Sequence, residues 1–130
     1  KTGGKRKGNK GYFFEPTVLT DVPSDAKMMN EEPFGPLAPI VPFKNFDDVV
    51  EEANRLPYGL AAFAFTNSAK TAEKISSSIE SGIVSINQPW MPVVEVPFGG
   101  VKDSGYGKEL GSEGLEAYMQ SKFITQKSSI

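Results

Sequence analysis

The chain has 130 residues, 38% of them hydrophobic, with 14 basic and 16 acidic side chains and a net charge of −2. That length suffices for one globular unit with an apolar core, and the balanced charge provides no field that would draw the whole chain to nucleic acid or anionic lipid. Cysteine and histidine are both absent, which excludes disulfides, a thiol nucleophile, an imidazole base, a Ser-His-Asp arrangement and an ordinary zinc site, and leaves the redox compartment undetermined.

No stretch approaches the ~20 consecutive apolar residues of a membrane-spanning helix, and the Gly- and Lys-rich opening is unlike a secretory signal. With Lys1 at its head, the chain reads as an excised piece of a longer protein. Residues 1–11 combine a cluster of basic side chains with Gly3, Gly4, Gly8 and Gly11, the composition of a solvated, mobile loop. A phosphate cradle is the sharper reading, but the spacing does not fit a Walker-type loop and no strand precedes it. Over residues 12–22, Tyr12, Phe13, Phe14, Thr17, Val18 and Leu19 predict extended chain, interrupted at Pro16 and closed at Pro23, as in an edge strand. A second extended run, 37–43, carries Pro39 and Pro42, which places it at a sheet edge or in irregular backbone.

The most regular portion begins at Asn45, a helix cap with Asp48 three residues on, followed by an apolar stripe of Phe46, Val49, Val50 and Ala53. Pro57 and Gly59 stop that helix. Residues 60–66 are apolar nearly throughout, as in a strand covered on both faces. Ser68 caps a second helix with Ala72, Ile75 and Ile79 on one side, Gly82 ends it, and residues 83–87 supply another strand. Strand, helix, strand, helix, strand is the order of an open parallel βαβαβ layer, so the fold class is α/β. After a loop over 88–107, a short helix at 112–120 precedes a last strand at 122–126, which could pair outside the parallel layer.

Ligands of open parallel sheets collect beyond the carboxyl ends of the strands, a rim that here carries Thr66, Asn67 and residues 87–98. Trp90, Met91 and Phe98 offer apolar walls for a small organic substrate, and Pro89, Pro92 and Pro97 limit the segment's freedom. The same side chains serve equally as core. Glu32, set between Glu31 and Pro33, can accept hydrogen bonds from both hydroxyls of a ribose cis-diol; taken alone, the two glutamates read as a solvated pair. Phe34 is either a core ring or a surface for a nucleotide. Gly99, Gly100, Gly105 and Gly107 allow tight turns beneath a site or in a purely structural connection. Lys102 and Lys108 could touch phosphate, although a lone lysine is more often solvated, and no helical anion site supports them.

Four segments taken together resemble the NAD(P)-dependent aldehyde dehydrogenase family. They are the run from Gly11 through Tyr12, Phe13, Phe14, Glu15, Pro16, Thr17 and Val18 to Leu19; Glu31, Glu32, Pro33, Phe34, Gly35 and Pro36; Pro57, Tyr58, Gly59, Leu60, Ala61 and Ala62; and Pro97, Phe98, Gly99 and Gly100. Each is weak alone, but their joint order and spacing are specific, and the resemblance covers roughly the last quarter of a family member. It implies that residues 1–121 are the C-terminal part of the catalytic domain and 122–130 an oligomerisation arm. It further implies that Glu32 holds the nicotinamide ribose, Phe34 packs beside it, and Phe98 lines the aldehyde tunnel, with Trp90, Met91 and Pro92 where the family sets substrate preference.

The family's reaction is oxidation of an aldehyde to a carboxylic acid with NAD or NADP, through a cysteine thiolate, an oxyanion held by backbone and asparagine donors, and a glutamate-activated water. The resemblance implies that those three side chains and the Rossmann-like domain precede Lys1, so the chain alone is expected to be inactive. It also implies a cytoplasmic homodimer or homotetramer, with neither nucleic acid nor membrane as partner. Residues 87–108 look closest to the succinate-semialdehyde dehydrogenase type. Where that type typically has a serine to help hold the substrate carboxylate, this chain has Pro92, Val93 and Val94, which cannot donate from a side chain. Gln120 stands where several relatives carry an interfacial glutamate. The alternative from another class is a non-catalytic assembly module that shares the fold.

Overall fold

The computed structural model describes residues 2–89 and 93–128. Its elements in chain order are β1 (Thr17–Thr20), a 3-10 turn (Lys27–Met29), β2 (Leu37–Ile40), α1 (Phe46–Asn54), β3 (Tyr58–Gly59), β4 (Ala61–Ala64), α2 (Ala69–Ser78), β5 (Ile83–Ile86), β6 (Val101–Lys102) and α3 (Glu113–Glu116). The α/β class is as expected. The chain divides into two compact units, Lys1–Val49 and Val50–Ile130, where the sequence suggested one.

In the first unit β1 and β2 pair in parallel, Thr17 opposite Leu37 through Thr20 opposite Ile40. The Thr17 amide donates to the Pro36 carbonyl at 2.8 Å. Because polar groups alternate sides along a strand, residues 36, 38 and 40 address β1 and Pro39, which has no N–H, faces away. The edge position predicted from Pro39 follows directly. The amino-terminal segment is not the simple loop expected. It folds back as an irregular antiparallel ribbon, with bridges from Thr2 to Val18 and from Arg6 to Phe14. Thr17, 3% exposed, locks the ribbon: its hydroxyl donates to the Glu15 carbonyl at 2.7 Å and accepts from the Gly4 amide at 2.8 Å.

In the second unit β4 and β5 pair in parallel, Ala61 opposite Ile83 through Ala64 opposite Ile86, with α2 as the crossover. Ser68 caps α2 as predicted, its hydroxyl accepting from the Thr71 amide at 3.2 Å. Thr71, Ala72, Ile75, Ser78 and Ile79 form the half-buried stripe. Of the βαβαβ run, this βαβ portion closes as expected, whereas the described partner of β2 is β1. The stretch read as a loop over 88–107 contains β6, antiparallel to β3.

At α1, the Asn45 amide donates to the Asp48 carboxylate at 2.8 Å, a contact between the two side chains expected at the cap. On the half-buried stripe Asn54 joins Phe46, Val49 and Val50, while Ala53 is exposed. Asn54 is four residues beyond Val50, one helical turn, and so falls on the same face. α3 is shorter than predicted. No strand forms over 122–126 within this chain, where residues 119–128 have no regular structure; a strand requires a hydrogen-bonding neighbour, and none of the described residues supplies one.

The apolar core differs most from expectation: among the described residues no hydrophobic side chain is fully buried. The outward face of β4 leaves Phe63 half exposed, and Phe65 beyond its end is exposed too, so the two-sided cover expected there is not provided by the described residues. The accessible surface is 10986 Å². A folded monomer of 14.1 kDa exposes about 6,700 Å², and two separate globules of this chain's unit sizes about 8,000 Å². The stripes and alternations are in place, but among the described residues the apolar faces they form stay largely uncovered.

Candidate functional site

The turn over 31–36 is built from both ends. On its amino-terminal side the Asn30 amide donates to the Ser24 and Ala26 carbonyls at 2.7 and 2.9 Å, and the Glu31 amide donates to the Lys27 carbonyl at 2.8 Å. On its carboxyl-terminal side the Pro36 carbonyl is tied to β1 through Thr17. Between these anchors the Gly35 amide reaches the Pro33 carbonyl at 3.0 Å, and the Leu37 amide reaches the Gly35 carbonyl at 2.8 Å. The prolines and these short-range bonds fix the backbone and leave its side chains outward.

Glu31 forms an exposed ion pair with Lys27 at 3.4 Å, a contact of little energetic weight. Glu32 is exposed and has no ion-pair partner among the described residues. Phe34 is 95% exposed, so it is not a core ring of this chain. A Cβ at Gly35 would meet nothing within 4 Å. An exposed carboxylate two residues from an exposed aromatic ring can accept hydrogen bonds from a vicinal diol and offer a face to a flat ring.

Phe98 belongs to the second unit. Its backbone forms a two-way bridge with Glu109, each amide donating to the other's carbonyl at 2.7 Å. The segment is held further by the Gly111 amide, which donates to the Val94 carbonyl at 2.9 Å. A cleft of about 710 Å³ opens beside Phe98, with Leu60, Tyr106, Leu110, Leu115 and Tyr118 among its walls. Trp90, Met91 and Pro92 lie outside the described residues. The structure thus brings Glu32 and Phe34 together on one turn of the first unit and sets Phe98 in the second.

The lysines have a different use from either one foreseen. The Lys102 ammonium donates to the carbonyls of Asn54 and Leu56 and pairs with Glu80, and that of Lys108 donates to the carbonyls of Gly99 and Gly100. Both are half-buried fasteners of the backbone rather than solvated side chains or phosphate contacts.

Asn87, read as the last residue of a strand and as part of the rim, lies just past β5 and is a clamp. Its side-chain oxygen accepts from the Thr66 amide and its side-chain nitrogen donates to the Thr66 carbonyl, both at 2.7 Å. With φ at 57°, it adopts a left-handed conformation that asparagine tolerates, turning the chain out of β5 into the candidate substrate loop. An asparagine ending an apolar strand was the available signal. Among the described residues no cluster suited to holding a metal ion occurs, and no helix is long and apolar enough to cross a membrane.

The aldehyde dehydrogenase family model matches residues 1–124. A 4-(hydroxymethyl)benzenesulfonate dehydrogenase of Comamonas testosteroni is 53% identical over 114 residues, covering 88% of this chain and 24% of that protein. A probable NADP(+) succinate-semialdehyde dehydrogenase of Sinorhizobium fredii is 45% identical over 124 residues, covering 95% and 25% respectively. The structure of an aldehyde dehydrogenase from Bacillus cereus in complex with NAD+ superposes with a TM-score of 0.86 at 43% identity, over 92% of this chain and 24% of that one. The chain spans about a quarter of the length of the curated relatives it matches. On the family match, the identities and the shared fold, the chain belongs to the aldehyde dehydrogenase family.

Proposed function

We propose that residues 1–130 are the C-terminal portion of an enzyme that oxidises an aldehyde to a carboxylic acid with NAD or NADP. The observation that carries this reading is the outward presentation of Glu32 and Phe34 on a turn pinned at both ends, within a chain of this family. The Glu32 carboxylate accepts from the two hydroxyls of the nicotinamide ribose, and the Phe34 ring packs against it, fixing the cofactor's reactive face. The bound dinucleotide supplies the acceptor for the hydride lost by the substrate. Phe98, with Trp90, Met91 and Pro92, forms the apolar wall that orients the aldehyde and keeps water away from its tail.

The nucleophilic cysteine, the general-base glutamate and the Rossmann-like domain reside on polypeptide outside residues 1–130. Cysteine is absent from the chain, and the uncovered apolar faces of this portion suit a fold completed by further polypeptide. Residues 1–121 complete the catalytic domain, and 122–130 are an arm that adds to the sheet of a second subunit in a cytoplasmic homodimer or homotetramer, a reading supported by the absence of regular structure over the described residues 122–128. Likeness to the Sinorhizobium protein supports a succinate-semialdehyde type. Pro92, Val93 and Val94 support an aldehyde with a less polar tail, since none of the three can donate from a side chain to a distal carboxylate.

The test compares the purified 130-residue chain with an intact protein that contains it, each given a panel of aldehydes and either cofactor. Reduced cofactor accumulates only with the intact protein. Steady turnover by the isolated chain, or none by the intact protein across linear, aromatic and semialdehyde substrates, overturns the reading.

A further inference from the structure

Phe98 is followed by two glycines whose carbonyls converge on one point, and that point is occupied by the ammonium of Lys108, 2.6 Å from the Gly99 oxygen and 2.9 Å from the Gly100 oxygen. Two carbonyl oxygens aimed at a common centre repel each other unless a cation or donor lies between them, so the backbone conformation after Phe98 depends on what fills that centre. The lysine stem is part of the same arrangement. A Cβ at Gly99 would lie 3.0 Å from the Lys108 Cδ and 2.8 Å from the Gly107 carbonyl, so the stem runs directly against the Gly99 backbone. The next residue, Glu109, bonds the Phe98 backbone in both directions at 2.7 Å. Phe98 is therefore held from one side by the backbone that follows Lys108, and its succeeding turn is held by the Lys108 side chain.

Resting on the functional reading above, in which Phe98 is a wall of the substrate site, we propose that Lys108 is a positioning residue for substrate selection. Its ammonium fixes the Gly99 and Gly100 turn and thereby the direction in which the Phe98 ring is presented. Lys108 touches neither aldehyde nor cofactor in this role. Loss of its charge frees the two carbonyls to reorient while the Phe98 and Glu109 bridge keeps the segment in place, so the ring is retained but its orientation is no longer single. Substrates that depend on ring contact suffer most.

The experiment uses the intact enzyme and Lys108→Met, which keeps the apolar stem and removes the charge, with benzaldehyde and acetaldehyde as probes. The KM for benzaldehyde rises about tenfold, the KM for acetaldehyde changes by less than about threefold, and the KM for the dinucleotide and kcat stay within about twofold. A benzaldehyde KM that is unchanged, or a parallel loss in kcat and in every KM as expected of a general folding defect, overturns the proposal. If the methionine variant does not fold, Lys108→Gln reads the same split, with a benzaldehyde KM raised at least about threefold and the acetaldehyde KM unchanged; equal effects on the two aldehydes overturn it. A wild-type enzyme that oxidises no aldehyde overturns the functional reading, and the proposal with it. A wild-type enzyme that is active, with variants that show no aldehyde selectivity, overturns the proposal alone.

Discussion

Lys102 and Glu80 form an ion pair within the second unit, Nζ to Oε2 at 2.6 Å, and the same ammonium donates to the carbonyls of Asn54 at 2.9 Å and Leu56 at 3.3 Å. The arrangement joins the carboxyl ends of two helices. Asn54 closes α1, and its side chain donates to the Ser78 carbonyl at 2.8 Å and accepts from the Glu80 amide at 2.9 Å just past α2. A cation placed over helix-terminal carbonyls satisfies groups that the helix itself cannot and complements its dipole.

Because those carbonyls are the less exposed part of the network, the lysine matters more than its carboxylate partner. Lys102→Met lowers stability by about 2 kcal/mol, the scale for leaving partly buried acceptors without a charged donor. Glu80→Gln lowers it by under about 1 kcal/mol, since the Glu80 side chain is 58% exposed and its pairing is screened by water. Urea midpoints measure both. Equal losses from the two substitutions would show the ion pair, rather than the carbonyl contacts, to be the stabilising part.

Gly82 begins the turn into β5 with its amide donating to the Gly59 carbonyl at 3.0 Å. A Cβ there would collide with the Gly99 carbonyl and lie 3.1 Å from the Gly100 Cα. Those atoms are backbone, so no rotamer change relieves the overlap. Gly82→Ala costs about 3 kcal/mol, at the upper end for overpacking. Gly35→Ala, whose new methyl meets nothing within 4 Å, changes stability by less than about 0.5 kcal/mol. Thermal midpoints of the two variants, measured side by side, separate close packing from a general intolerance of substituted glycine.

Ser68→Ala removes the acceptor for the Thr71 amide at the start of α2 and costs about 1 kcal/mol. Ser68→Asp restores the acceptor and adds a favourable charge at the helix start, recovering the loss. Chemical denaturation gives the ordering alanine below serine, with aspartate at or above serine; a neutral alanine variant would mean that packing, not the cap, fixes where α2 begins.

What could be read from sequence depended on whether the determinant was local. Ser68, the stripe through Ala72, Ile75 and Ile79, and the apolar run ahead of it encode α2 and the parallel pair it bridges, because a cap and a 3.6-residue period act within a few residues. Pro39 marked an edge for the same reason. The amino-terminal ribbon was hidden, since Thr2, Arg6 and their partners Val18 and Phe14 are joined across a Gly- and Lys-rich segment with no periodicity. β6 was hidden as well, being two residues long and partnered by a strand more than forty residues earlier. Lys102 and Lys108 looked like any surface lysine, and only the folded backbone brings carbonyls to them. The shortage of fully buried apolar side chains among the described residues has a related origin: the stripe of α1 and the outer face of β4 mark surfaces suited to burial but do not specify what covers them.

The proposed ribose corner yields a test in which stability and binding part company. Glu32 is exposed and Phe34 is 95% exposed, so neither contributes packing within this chain. In the intact enzyme Glu32→Gln keeps the shape of the side chain but exchanges a charged, doubly accepting group for one that accepts at a single oxygen. Charge-assisted hydrogen bonds are roughly twice as strong as neutral ones, and a loss of about 1.4 kcal/mol raises the KM for the dinucleotide about tenfold. Phe34→Ala acts on the same constant by removing the ring face, whereas Phe34→Tyr, which keeps that face, leaves it within about twofold. In all three variants the KM for the aldehyde and the thermal midpoint remain near wild type, because exposed substitutions away from structural contacts change stability by less than about 0.5 kcal/mol. A fall in midpoint of several degrees with an unchanged dinucleotide KM would instead assign Glu32 and Phe34 to packing against the remainder of the protein, and would remove the cofactor from this turn.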